Sequence, residues 1–277
     1  MRGMFVPVVF GLFGLIVGSF LNVLILRRGK RPLTGRSACG ACESVLGWHD
    51  LVPVLSWFVL LGRCRSCRSR ISIQYPLVEG ATALLFAAIA GASLGTMWTA
   101  FACVVAALLV AIFVYDLYHA LIPDAWVWTF NALALLALIF NFQFSIFNFL
   151  AGPATALPLF ALWFASGGRW MGFGDVKLAL GMGWLLGPLG GIQALFLAFI
   201  VGALVSVPLL FFSSDAWKKM VGRLPPYRFL HRVLKVKSGT GYTMKSEVPF
   251  GPFLITATFI VWFLQMYGVE IPLITFL

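Results

Sequence analysis

The sequence predicts an all-α, polytopic membrane protein with about eight transmembrane helices and a small polar insert between the first two. Hydrophobic residues make up 61% of the 277 residues and charged residues only 10%, and apolar runs recur along the whole chain. This composition lies far outside the range of soluble domains. The opening run 1–26 lacks a basic n-region and a small-residue cleavage site, so we expect a retained span instead of a signal peptide.

The apolar runs define the expected spans and their connections. The spans are 4–26, 75–94, 97–118, 125–140, 145–165, 175–186, 190–212 and 250–267. Alternation across the membrane places 27–74, 119–124, 166–174 and 213–249 on one side. With Lys177 counted there, that side holds every Lys and Arg except Arg2, so the positive-inside rule assigns it to the cytoplasm. The net charge of +11 thus indicates topology and contact with anionic lipid, not nucleic acid.

The charge pattern also divides the chain into segments. We expect a first transmembrane helix at 1–26, a cytoplasmic insert at 27–74 and a membrane core at 75–277. The basic loop 213–249 within that core is interpreted as a lipid contact and topology anchor. Docking to a protein assembly is the alternative.

Two acids interrupt the apolar runs. Asp116 closes a span that runs inward, and Asp175 opens an outward span two helices later, so both reach the cytoplasmic boundary. A carboxylate there is costly and indicates function. About a dozen residues, roughly 18 Å of helix, separate Asp175 from Gly187. That is well short of a ~30 Å hydrocarbon core, so Asp175 lies below the membrane surface or the bilayer is thinned.

A pair of close carboxyl groups favours peptide hydrolysis. One ionised carboxylate activates water while its protonated partner polarises the carbonyl, because both cannot readily ionise together. The alternative is that the two acids pair separately with Lys177, His119 or Arg169, as in a proton-coupled transporter. Small residues at Ala179, Gly183 and Gly187 could bring the two acid-bearing helices together, although ordinary helix packing explains them equally well.

Four cysteines lie in the insert in two C-x-x-C pairs, Cys39 with Cys42 and Cys64 with Cys67. Two such pairs are typical of a tetrahedral zinc site. Disulfides are disfavoured in the reducing cytoplasm, and a redox relay is a further alternative. Nearby arginines favour the thiolate form. Four protein ligands leave no open position for water, so the zinc is predicted to be structural and to stabilise a segment too short for a large core.

Two motifs carry a family resemblance. The segments DLYHALIPD at 116–124 and GFGDVKL at 172–178 resemble the signatures of type IV prepilin peptidases, bacterial members of the GxGD intramembrane aspartyl protease class. The resemblance implies that Asp116 and Asp175 are catalytic. The tetracysteine insert is similar to that of the bifunctional members. GSFLNV at 18–23, ISIQYPLVE at 71–79 and PFGPFL at 249–254 also look like family motifs.

The resemblance implies two reactions at the cytoplasmic face of the bacterial inner membrane. The enzyme cuts type IV prepilins or type II secretion pseudopilins after the Gly that ends a short basic leader. It then methylates the new N-terminal residue with S-adenosylmethionine as the donor. The Gly-x-Gly at 172–174 precedes a short membrane helix instead of a βαβ unit, so it is no dinucleotide fingerprint. The methyl-donor site and the oligomeric state stay open.

Four further residues are candidate substrate contacts. Asp124 is interpreted first as a helix N-terminal acid and second as a contact for the basic leader, for which Glu79 is another candidate. Gly172 and Gly174 form an irregular backbone that is tolerated at membrane depth only where it is packed in protein or lines a wet cavity. The competing functions are a GxGD protease with other substrates and a proton-coupled transporter with a zinc-stapled loop.

Overall fold

The computed structural model describes residues 2–28, 34–140, 145–213 and 249–269. Across these residues the fold is helical and contains no named strand. The helices are α1 (Arg2–Arg27), α2 (Leu55–Val59), α3 (Gln74–Gly91), α4 (Thr96–His119), α5 (Asp124–Phe140), α6 (Ile146–Ser166), α7 (Phe173–Ser213) and α8 (Gly251–Met266), with a 3-10 helix at Trp48–Leu51. The predicted all-α fold class is confirmed.

The apolar helices support a membrane location. In the described part of the chain, four stretches are long and apolar enough to cross a membrane: Phe5–Arg27, Thr96–His119, Ile146–Ser166 and Phe173–Pro208. Helices α5 and α8 are apolar but shorter. Large apolar side chains such as Phe147 and Leu204 are exposed, as expected for surfaces that face lipid. The protein is therefore a multi-pass membrane protein, while the number of crossings stays a prediction.

Helix α7 is broken at Gly187, between two of the expected spans. Gly187 has φ 76° and ψ 179°, a conformation that is essentially restricted to glycine. Pro188 follows directly and suits the start of a new helix because its φ is fixed. The break separates the expected spans 175–186 and 190–212, so each of the eight expected spans coincides with a helix or with half of α7.

The chain divides into two compact units. The first contains the described residues of 1–114 and 263–270, and the second those of 115–262. Charge and hydropathy predicted a different division, into segments 1–26, 27–74 and 75–277. That division stays a prediction. The basic loop falls outside the described residues, apart from its ends at 213 and 249.

In the first unit, α1 packs closely against α3. A Cβ atom at Gly14 would lie 2.7 Å from the Cα of Ala83, and one at Gly18 would lie 2.7 Å from the Cα of Glu79. Only glycine permits this approach of two backbones. The packing holds the first turns of α3, including Glu79, beside α1.

In the second unit, the first half of α7 packs against α5 and α6. The space that a side chain at Gly183 would need is filled by the backbone of Ala151 and Gly152. The indole nitrogen of Trp184 donates to the carbonyl of Phe149 at 2.9 Å. The suggestion that Gly183 and Gly187 bring the acid-bearing helices together was wrong, because Gly183 contacts α6 and Gly187 forms the break. Ordinary helix packing explains Gly183.

Candidate active site

Both predicted catalytic acids lie in the second unit and are buried. Asp116 is in the last turn of α4 and Asp175 is in the first turn of α7. Only 4% of Asp116 and 7% of Asp175 is exposed. Carboxyl groups are almost never buried to this extent unless they are paired or functional.

Asp175 is held by the turn that begins α7. The backbone N–H of Gly172 donates to the Asp175 carboxylate, and the N–H of Asp175 donates to the carbonyl of Gly172 at 3.2 Å. This reciprocal pair fixes the side chain at a helix N-terminus, where the free N–H groups and the helix dipole favour a negative charge.

Asp116 is held by the start of α8. The backbone N–H of Gly251, the first residue of that helix, donates to the Asp116 carboxylate. A Cβ atom at position 251 would overlap the same carboxylate, so only glycine allows the contact. Gly251 lies in the PFGPFL motif, but its role beside Asp116 was not predicted from the sequence. A Gly-Pro pair that opens an apolar helix was the signal available.

Ile122 connects the two acid-bearing regions. Cβ atoms built at Gly174 and Gly251 would lie 3.0 Å and 3.1 Å from the Ile122 side chain. Gly251 in turn borders Asp116, and the Asp116 charge acts directly on the Asp175 carboxyl. The two acids therefore share one electrostatic environment. Such an arrangement provides the two carboxyl groups that acid–base hydrolysis requires.

The cations that could have paired with the two acids have other partners. Lys177 forms an ion pair with Asp124 at 2.6 Å. A ring nitrogen of His119 lies 3.1 Å from the carbonyl of Tyr115. The Arg169 guanidinium donates to the carbonyl of Ser166 at 3.0 Å. In the described residues, no ion pair joins Asp116 or Asp175 to a basic side chain, which disfavours the transporter-like arrangement.

Asp124 is positioned as a helix N-terminal acid. It is the first residue of α5, and its side chain is 70% exposed while that of its partner Lys177 is only 17% exposed. The ion pair ties the start of α5 to the first turn of α7, close to Asp175 in sequence. Contact between Asp124 and a substrate stays a prediction.

The four insert cysteines come together in the first unit. Their sulfur atoms all lie within 4.8 Å of one another, and the sulfurs of Cys39 and Cys67 are 3.8 Å apart. Tetrahedral coordination with Zn–S bonds of ~2.3 Å implies S···S distances of about 3.8 Å. The cluster is therefore compatible with a metal ion. Cys103 is a separate, buried residue of α4.

Each C-x-x-C pair lies in a tight hairpin of the same construction. Antiparallel bridges join Ala38 to Val45 and Arg63 to Arg70. In both hairpins the carbonyl of the first cysteine accepts the N–H four residues later, at 2.9 and 3.0 Å. The N–H of that cysteine donates to the carbonyl five residues later, at 2.9 and 2.8 Å. The backbone thus presents both pairs of thiols in the same way.

Hydrogen bonds favour the thiolate of Cys39. The backbone N–H of Ala41, followed by that of Cys42 and the Ser69 hydroxyl, lowers the pKa of Cys39 to about 6. The sequence interpretation attributed thiolate stabilisation to nearby arginines, but at Cys39 local hydrogen bonds supply it. A thiolate is the form that binds metal.

Glu79 lies in the first unit beside the insert. It is 6% exposed and accepts a 2.7 Å hydrogen bond from the backbone N–H of Val54, together with one from the Ser19 hydroxyl. It borders a cavity between the insert, α1 and α3. Its proposed contact with a basic leader stays a prediction.

Two family models match the chain. Residues 12–92 match the Bacterial Peptidase A24 N-terminal domain, and residues 103–207 match the Type IV leader peptidase family. A Pseudomonas aeruginosa relative is 30% identical over 94% of this chain and 90% of its own length. The chain belongs to the type IV leader peptidase family.

Further family relatives match shorter segments. A Bacillus subtilis protein is 34% identical over 70% of this chain and 79% of its own length. A Myxococcus xanthus protein is 35% identical over 73% of this chain, and the match spans 63% of that relative, just under two thirds. All three relatives are named prepilin leader peptidase/N-methyltransferase.

The expected family is thus confirmed, and the relatives' names contain both activities that the resemblance implied. The comparisons do not support a GxGD protease with other substrates or a proton-coupled transporter. No solved structure matches the chain.

Proposed function

We propose that this leader peptidase family member removes the leader of type IV prepilins or type II secretion pseudopilins and then methylates the new N-terminal amine. The observation that carries the proposal is the burial of Asp116 and Asp175 in the same unit, close enough for the Asp116 charge to act on Asp175. The relatives' names support both activities. Substrate class and reaction order follow from the family.

Asp116 and Asp175 act as a general acid–base pair. One carboxylate takes a proton from water, and the water oxygen attacks the scissile carbonyl carbon while the protonated partner donates to the carbonyl oxygen. The C–N bond then breaks and the leaving amine receives a proton. The Gly172 and Gly251 N–H groups hold the carboxyls in place, which is a positioning role.

The reaction occurs at the cytoplasmic face of the inner membrane. The excess of Lys and Arg on one side of the expected topology supports this orientation. A pilin's apolar helix would stay in lipid while its basic leader projects into the cytoplasm beside the two acids. Gly172 and Gly174 would line the approach to the acids, and Asp124 would contact the leader from the exposed end of α5.

The four cysteines hold a structural zinc ion. Cys39, Cys42, Cys64 and Cys67 supply four sulfur ligands at distances that fit tetrahedral coordination. The metal would stabilise a segment whose described residues contain few buried side chains, as small metal-bound modules do. S-adenosylmethionine would supply the methyl group for the second reaction.

Replacing either catalytic acid tests the peptidase mechanism. Asp116→Asn and Asp175→Asn keep side-chain size but cannot exchange the proton, so each is expected to slow leader cleavage at least a hundredfold. Cleavage is measured by mass spectrometry on purified protein with a prepilin. Asp215→Asn, in the basic loop, is the matched control and should retain most activity. Cleavage within threefold of the wild type in either catalytic variant would contradict the mechanism.

Gly251→Ala tests the contact between α8 and Asp116. The added methyl group would overlap the Asp116 carboxylate, so the cleavage rate is expected to fall about tenfold or more, a barrier increase of ~1.4 kcal/mol. Gly202→Ala is the control, because a Cβ there meets the rings of Phe253 at 3.3 Å and Phe250 at 3.8 Å and no carboxylate. Equal rates in the two variants would show that Gly251 does not position the acid.

Metal analysis tests the zinc site. The purified wild-type protein should contain about one zinc ion per chain, as a four-thiolate site requires. Cys64→Ser should lose most of this zinc and become sensitive to proteolysis within the insert. Cys103→Ser, which changes a buried cysteine of α4 outside the cluster, should keep its zinc content and its resistance to proteolysis. A Cys64→Ser protein with full zinc content would rule out the assignment.

A further inference from the structure

A cavity of about 630 Å³ lies within the first unit. Its walls come from α1, the tetracysteine insert and the first turns of α3. Small-molecule sites occupy roughly 300–1,000 Å³, so the cavity has room for a ligand of cofactor size. The peptidase acids belong to the other unit, and peptide hydrolysis gives this cavity no role.

Glu79 contributes a buried carboxyl group to the cavity wall. Its carboxylate accepts hydrogen bonds from Val54 and Ser19. No basic side chain pairs with it among the described residues. Burying a carboxylate without an opposite charge is costly, even when neutral donors satisfy its oxygens. A cationic ligand would provide the missing charge.

The Glu79 contact is maintained against local strain. Val54, whose N–H donates to Glu79, has φ 61°. A β-branched residue rarely adopts a positive φ, and such strained residues cluster at binding sites. The carboxylate is therefore held in a fixed position at the cavity wall.

Asp50, the other acid of the cavity wall, is already neutralised. Arg65 forms an ion pair with it at 2.9 Å. Burial tends to raise the pKa of Asp50, but the hydrogen bond from Arg65, the hydrogen bond from Gly47 and the Arg65 charge lower it overall. Asp50 is thus an ionised partner of Arg65, and Glu79 is the acid of the wall that has no basic partner among the described residues. Arg27, Arg36 and Arg70 also border the cavity, where a guanidinium suits the carboxylate end of an amino-acid ligand.

Two aromatic side chains complete the relevant wall. Trp57 and Tyr75 both border the cavity and are half-buried. The indole nitrogen of Trp57 donates to the carbonyl of Ile71 at 3.3 Å, which restrains the ring. Fixed aromatic rings offer stacking surfaces for a purine and a favourable environment for a cation.

We propose that this cavity binds S-adenosylmethionine, with Glu79 facing the sulfonium cation and Trp57 and Tyr75 contacting the adenine. The inference rests on the proposed methyltransferase function. The cavity fits the ligand in size, in having one unpaired buried carboxylate and in its aromatic wall. When the methyl group passes to the amine nitrogen, the S–C bond breaks, an N–C bond forms and one proton leaves the nitrogen. The sulfur then becomes neutral.

This charge difference provides a binding test that needs no turnover. S-adenosylmethionine and S-adenosylhomocysteine are titrated into the zinc-loaded, full-length protein in detergent by calorimetry. Glu79→Gln should weaken S-adenosylmethionine binding at least about tenfold, while S-adenosylhomocysteine binding changes less than about threefold because that ligand lacks the sulfonium charge. Glu43→Gln, an exposed acid of the same insert, should alter neither affinity.

A second variant tests the cavity independently of charge. Trp57→Leu should weaken both ligands by similar factors, and unchanged binding in this variant would exclude the cavity. Equal effects of Glu79→Gln on both ligands would overturn the sulfonium contact. If Glu79→Gln also lost zinc, its weaker binding could come from a disturbed insert. The Trp57→Leu result would then decide whether the cavity binds the ligand. If the wild-type protein bound neither ligand, the methyltransferase part of the proposed function would itself fail.

Discussion

The burial of two carboxyl groups in one electrostatic environment is the constraint on which the second unit depends. Asp116 and Asp175 are removed from solvent at the ends of apolar helices, where uncompensated charge is costly. The fold offsets this cost with backbone N–H groups from the starts of α7 and α8. Glycine at 251 follows from that arrangement, because a Cβ atom there would overlap the Asp116 carboxylate. Glycine at 174 instead leaves room for the Ile122 side chain.

Much of this site was predictable from the sequence. Two acids in apolar runs, a short helix after Asp175 and the alternation of charged and uncharged loops predicted that the two carboxyls lie at one membrane boundary. The structure buries both in the second unit. The break at Gly187 confirms the short helix. The contact of Gly251 with Asp116 was not predictable, because it joins residues 135 positions apart and depends on how α8 begins. The packing of Gly183 against α6 likewise required the tertiary arrangement.

In the insert, too, some features were predictable from the sequence and others were not. Cysteine spacing predicted the cluster, and the two equivalent hairpins explain how the sulfurs meet. Spacing could not indicate that Cys39 depends on hydrogen bonds from its own hairpin more than on arginines. Nor could it show that residues from α1, α2 and α3 enclose a cavity containing Glu79. The last residue of the family motif ISIQYPLVE is Glu79, which lies in the wall of this cavity.

The central claim is that Asp116 and Asp175 function as one unit, and a double-mutant cycle tests it most directly. Single-turnover cleavage rates are measured for Asp116→Asn, Asp175→Asn and the double variant over long incubations. Residues that act together show strongly non-additive effects. The double variant should therefore cleave no more slowly than the slower single variant. Losses that multiply in the double variant would show that the two acids act independently and would contradict a shared carboxyl pair.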